Sequence, residues 1–132
     1  MPDHRGFGHV TLTVTDLERS ADFYNRVFSA QTVDASEDAV GPYAICMGPN
    51  FMLGLRKHAS TQDGDGFAFA RVGLDHNGVH VEGEEDIEKW RAHLDEQGIE
   101  SSGPVASPYG MHLHMKDPDG IATEFFAPRP QG

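Results

Sequence analysis

A single cysteine, Cys46, in 132 residues removes two architectures at once. A disulfide framework needs cysteines in pairs, and a closed structural zinc site is usually built on several thiolates. Basic residues are also scarce. Ten Lys and Arg against 21 Asp and Glu leave a formal net charge of −11 and a pI near 4.9. That balance argues against nucleic acid or an anionic membrane surface as partner, since both call for a basic patch. No apolar run approaches the ~20 residues of a membrane-spanning helix. The N-terminal Met1-Pro-Asp-His-Arg-Gly6 lacks the basic-then-apolar pattern of a leader. The expectation is a soluble, cytoplasmic protein, a single domain over residues 1–132 with one core in which Cys46 is buried.

What the chain does contain is a duplicated plan. Phe7 to Val14 alternates, with Val10, Leu12 and Val14 on one face and His9, Thr11 and Thr13 on the other, as in a strand with one apolar side. Asp16 can cap a helix whose stripe is Leu17, Ser20, Phe23, Tyr24, Val27 and Phe28. Short strands are predicted at 31–35, 43–47 and 51–57, separated by Gly41-Pro42 and Gly48-Pro49-Asn50. A polar loop from His58 to Gly66 follows. The second half then repeats the order: a strand over 72–81, and a helix over 84–97 whose first turn absorbs the acidic run Glu82 to Glu88 and which stops at Gly98. Strands near 100–107, 111–116 and 121–127 complete it. A shift of 67 residues places His76 on His9, Val79 on Leu12, Val81 on Val14, Trp90 on Phe23 and Leu94 on Val27. A repeat of this kind predicts two βαβββ modules, 7–57 and 72–128.

The last hairpin carries the chemistry. Asp117-Pro-Asp-Gly120 is strong turn chemistry, with proline presetting one dihedral and glycine free of side-chain hindrance. Beyond the turn, Ala122, Glu124 and Phe126 share one face of a strand while Thr123 and Phe125 share the other. A carboxylate on such a face needs a cationic partner, because an unpaired buried charge costs several kcal/mol. Arg56 and Arg71 are candidates, and so is a metal ion. His9 and His76 at repeat-equivalent positions, with Glu124 on the last strand, make up two imidazoles and one carboxylate, the facial set that leaves coordination positions open on a divalent metal. His80, His112 and His114 share the parity of that face, which predicts an imidazole-rich site with these three as outer residues. His4 and His93 read as surface residues.

The stretches His9 to Ser20, Phe23-Tyr24, Gly73-Leu-Asp-His76 and Asp117 to Glu124 resemble the vicinal oxygen chelate superfamily, which includes glyoxalase, bleomycin resistance proteins and extradiol dioxygenases. The resemblance spans roughly residues 7 to 128. It implies an α+β fold in which the two βαβββ modules form a cup-shaped mixed sheet. It also implies one divalent metal per chain, Fe2+, Mn2+, Zn2+ or Ni2+, on His9, His76 and Glu124, and a small-molecule substrate chelating that metal through neighbouring oxygens. A homodimer is implied as well. Glyoxalase I enzymes carry a further carboxylate on the last strand of the first module, whereas no Asp or Glu lies between Asp38 and Asp63 here. Extradiol dioxygenases place an acid/base histidine before the second ligand, a role His58 approximates, and a tyrosine ten residues before the glutamate, where His114 stands. His58 and His114 are therefore the catalytic acid/base candidates. The implied activity is a metal-dependent dioxygenase or a lyase/isomerase. The alternatives are a non-catalytic antibiotic-binding resistance protein and a thiol-transferase-type resistance enzyme.

Overall fold

The computed structural model describes Met1–Pro130. The chain divides after Asp65 into two compact units, and strand hydrogen bonding among the described residues stays within each.

The first unit contains β1 (Val10–Thr13), α1 (Leu17–Phe28), β2 (Gln31–Glu37), β3 (Pro42–Gly48) and β4 (Phe51–Arg56). Its sheet order is β1-β4-β3-β2, with β1 parallel to β4 and the rest antiparallel. Asp16 sits in extended backbone and accepts the Arg19 N–H at 3.1 Å, capping α1 as its sequence position predicts. Ser29, in left-handed backbone, ends the helix. Ser20, Phe23, Tyr24 and Val27 are buried, and Phe28 stacks on Phe51 at 4.3 Å, so α1 covers the face of β3 and β4 that presents Ala44, Cys46, Leu53 and Leu55. Cys46 is a core residue, as expected.

The second unit contains β5 (Asn77–His80), α2 (Glu84–Glu96), β6 (Val105–Ser107), β7 (Gly110–Lys116) and β8 (Ala122–Pro128), in the order β5-β8-β7-β6, with β5 parallel to β8. The Asp86 carboxylate accepts the Gly83 N–H at 3.2 Å, and the acidic run 84–86 occupies the first helical turn, where the helix dipole favours it. Trp90 stacks on Phe125 at 4.4 Å. Ile87, Leu94, Leu113 and Phe125 are fully buried, each contributing roughly 2 kcal/mol of transfer free energy. Both units are α+β, and no helix of the described residues is long and apolar enough to cross a membrane.

Three strands are much shorter than the sequence pattern predicts, and β4 ends one residue early, at Arg56. The strand expected from Phe7 begins at Val10, after Gly6 turns the backbone to φ 82°. The strand expected over 72–81 is confined to Asn77–His80, since Gly73 at φ 140° interrupts the extended backbone before it. The strand expected over 100–107 keeps only Val105–Ser107 and an isolated bridge at Ser101; Gly103 at φ 71°, followed by Pro104, breaks the ladder between them.

The repeat is visible in the register. Val10 pairs with Leu53, and Asn77 with Thr123. The first strands and helix starts of the two units are offset by 67 residues (10 to 77, 17 to 84), while the last strands are offset by 70 (53 to 123). The second unit therefore carries three extra residues between helix and last strand.

Candidate metal centre

The β7–β8 hairpin is built by its turn. Asp117 accepts backbone N–H groups from Asp119 at 2.9 Å and Ile121 at 2.8 Å, and Gly120 takes φ 83°. That closure pairs Lys116 with Ala122, and so His114 with Glu124 and His112 with Phe126. Side chains of directly opposed residues lie on the same face. On β8, Thr123, Phe125 and Ala127 are buried while the alternate positions are half-buried, as the alternation predicts, so Glu124 faces away from α2. Gly78 pairs with Glu124 across β5, and His76 lies two residues before it.

Three imidazoles converge on Glu124, whose side chain is only 15% exposed. His76 Nε2 lies 3.0 Å from Oε2, while His112 Nδ1 and His114 Nε2 contact Oε1, the latter at 3.3 Å. Neither Arg56 nor Arg71 is the partner that the sequence allowed. Arg56 is bidentate on Asp38 at 2.8 and 2.9 Å in the first unit, and Arg71 is exposed. Burial alone would raise the Glu124 carboxyl, but the hydrogen bonds from His112 and His114 outweigh it and hold the group below its ordinary range. The His76 imidazole is raised, first by the 2.7 Å hydrogen bond from Nδ1 to Asp75 and then by the charge of Glu124, against the opposing effect of burial.

These donors fit a divalent cation. With the Nδ1 proton of His76 given to Asp75, Nε2 and the carboxylate oxygen are two lone-pair donors facing each other, and only a positive centre between them makes the contact favourable. A proton serves in the free protein. A separation of 3.0 Å is also that of adjacent donors each about 2.1 Å from one metal ion. Donor atoms of His112, His114 and Glu124 also lie within 4.8 Å of one another, close enough to offer ligands to a single ion.

Of the five residues singled out from sequence, the second unit thus brings together His76, His114 and Glu124. His9 and His58 belong to the first unit. His9 is exposed and immediately precedes β1, the place His76 holds before β5. His58 is half-buried in the turn after β4, its N–H donated to Thr61 Oγ1 at 3.2 Å. Two contributors carry more than the sequence reading assigned them. His112 touches Glu124 directly, a contact that its i, i+2 spacing from His114 permits. Asp75 adjoins His76 in sequence but shows its role only through the ring contact.

The chain matches the profile of the Glyoxalase/Bleomycin resistance protein/Dioxygenase superfamily over residues 6–125. It is 32% identical over 125 residues to a trivalent organoarsenical cleaving enzyme of Bacillus sp. (strain MD1), covering 91% of this chain and 71% of that protein. Among solved structures, a glyoxylase/bleomycin resistance protein/dioxygenase domain from Frankia sp. EAN1pec superposes with a TM-score of 0.86 at 28% identity, covering 96% of this chain and 100% of the other. The fold is shared with a fosfomycin resistance protein from Listeria monocytogenes, solved with Mn(II) and 1S,2S-dihydroxypropylphosphonic acid, at a TM-score of 0.70 and 17% identity over 96% of this chain and 93% of the other. The chain belongs to the Glyoxalase/Bleomycin resistance protein/Dioxygenase superfamily.

Proposed function

We propose that the protein is a divalent-metal-dependent enzyme whose small substrate chelates the metal through neighbouring oxygens, with Glu124 as the carboxylate ligand and His76 as an imidazole ligand. The observation that carries this reading is the 3.0 Å approach of His76 Nε2 to Glu124 Oε2, with Asp75 holding the far side of the ring. Carboxylate-supported histidine is the usual second shell of a metal site. His9 keeps a ligand role by its place in the repeat alone. A bound divalent cation supplies Lewis acidity at the substrate oxygens.

The remaining roles fall to the protein's own side chains. His114 is half-exposed, beside Glu124, and is proposed to take or return a substrate proton; His58 is proposed for the same role on the resemblance. The manganese recorded with the Listeria protein makes Mn2+ the first ion to test, before Fe2+, Zn2+ and Ni2+. A homodimer is proposed on resemblance.

The Bacillus relative acts on trivalent organoarsenicals. Trivalent arsenic is a soft centre that thiolates hold best. Here the lone thiol, Cys46, is 0% exposed, and burial pushes its pKa up, which favours the unreactive thiol. We therefore propose an oxygen-chelating substrate rather than a thiolate-held arsenical. The test is turnover of vicinal-oxygen substrates and of an organoarsenical by protein stripped of metal and then reloaded. Turnover that appears only on reloading, with oxygen-chelating compounds preferred and Cys46→Ala unaffected, supports the reading. Full turnover by the stripped protein overturns it.

A further inference from the structure

His112 spends both ring nitrogens. Nδ1 contacts Glu124 Oε1, and Nε2 lies 2.5 Å from Ser107 Oγ at the end of β6. The hydroxyl sits where it does because the β6–β7 hairpin pairs Ser107 with Gly110 and Val105 with His112. Ser107 Oγ accepts the Tyr109 N–H at 3.1 Å and keeps its own proton to donate. Two acceptors are in range, the Gly110 carbonyl at 3.5 Å and His112 Nε2 at 2.5 Å. The shorter contact takes the proton, because hydrogen bonds weaken steeply toward 3.5 Å. The Nε2 lone pair is then occupied, the ring proton must sit on Nδ1, and Nδ1–H donates to Glu124. Donation runs one way, from Tyr109 N–H to Ser107 O–H to His112 N–H to the carboxylate.

We propose that His112 is a positioning residue and not a metal ligand: Ser107 fixes its Nδ1–H tautomer, and His112 holds Glu124 Oε1, which leaves Oε2 turned to His76 Nε2. The inference rests on the metal-site reading above for its consequence, although the tautomer itself does not. His76 differs in the property that matters, because its Nε2 faces only the carboxylate while Nδ1 is tied to Asp75. Phe126, 4.9 Å from the His112 ring, and 17% side-chain exposure keep that ring in place.

The test has two arms. In metal-free, 15N-labelled protein, long-range proton–nitrogen correlation should show His112 as the Nδ1–H tautomer, and Ser107→Ala should lose that preference. In chelator competition for Mn2+, Ser107→Ala and His112→Ala should weaken binding about 10- to 100-fold. His112→Asn, whose amide nitrogen falls near Nδ1, should stay within about threefold of wild type, while His112→Gln should behave as His112→Ala. An Nε2–H tautomer in wild type overturns the proposal, and so does loss of Mn2+ in His112→Asn as complete as in Glu124→Ala. Wild type that binds no metal at all sinks the metal-site reading, and the tautomer arm still decides whether Ser107 sets the His112 ring.

Discussion

Glu124 lies across the parallel β5–β8 pair from Gly78, and the equivalent pair of the first unit is reversed, with Thr11 opposite Gly54. A Cβ on Gly54 would come within 2.6 Å of Thr11 Oγ1 and 3.3 Å of Thr11 Cβ, whereas a Cβ on Gly78 would meet nothing within 4 Å. The first unit therefore fills with a threonine the space in which the second unit seats a carboxylate, in agreement with the absence of acidic residues between Asp38 and Asp63. Gly54→Ala should destabilise by about 1–3 kcal/mol through overpacking. Thr11→Gly in the same chain should recover part of that loss, and Gly78→Ala should stay within about 0.5 kcal/mol. Urea unfolding of the set checks all three.

Metal binding should release protons. Because Asp75 and Glu124 hold the His76 imidazole above its ordinary value, it keeps its proton to higher pH than a free imidazole, and the proton on Nε2 must leave before that nitrogen can ligate. Apparent affinity should fall as pH drops through the raised His76 value. Asp75→Asn should move the fall to lower pH. Calorimetric titration in buffers of different ionisation enthalpy reads the protons directly, and a pH-independent affinity would contradict the assignment of Nε2 as a donor.

In the metal-free protein the same pair sets a stability window. Glu124 is depressed on folding, so its contribution is present above the ordinary carboxylate value of 4.5 and lost as pH falls through the folded value. His76 is raised, so its contribution is present below 6.5 and lost as pH rises through the folded value. Stability from the pair should peak between those two values and decline on either side. Glu124→Gln should flatten the profile, as measured by thermal unfolding across pH.

The turn at Asp117 should matter more than a surface aspartate. Asp117 is 6% exposed and accepts two backbone N–H groups, so Asp117→Ala leaves both without that acceptor at a cost of about 1–3 kcal/mol. Asp117→Asn keeps an acceptor and should cost less. Urea unfolding followed by the fluorescence of Trp90, which stacks on Phe125 of β8, reports on this unit.

How much of this was legible in the chain differs by element. The hairpin and the face of Glu124 follow from Asp117-Pro-Asp-Gly120 and from period-two alternation, both local. The capped start of α1 and the acidic start of α2 are local too. The ends of β5 and β6 were less legible, because an apolar run such as Val72-Gly-Leu reads as strand until Gly73 takes a positive φ. The partner of Glu124 was hardest. A carboxylate's neighbours depend on register across two strands and on ring orientation, so the sequence leaves Arg56 and Arg71 beside a metal as partners, and the structure gives Arg56 to Asp38. The role of His112 is hidden for the same reason: its spacing places it on the face, while only the Ser107 contact shows how the ring is held.

The most direct test of the central claim is the divalent-metal content of protein reconstituted with Mn2+, wild type beside Glu124→Ala, with folding of both verified by circular dichroism. About one metal ion per chain is expected in the wild type and little in the folded variant. Equal metal in both, or none in wild type after reconstitution, would contradict it.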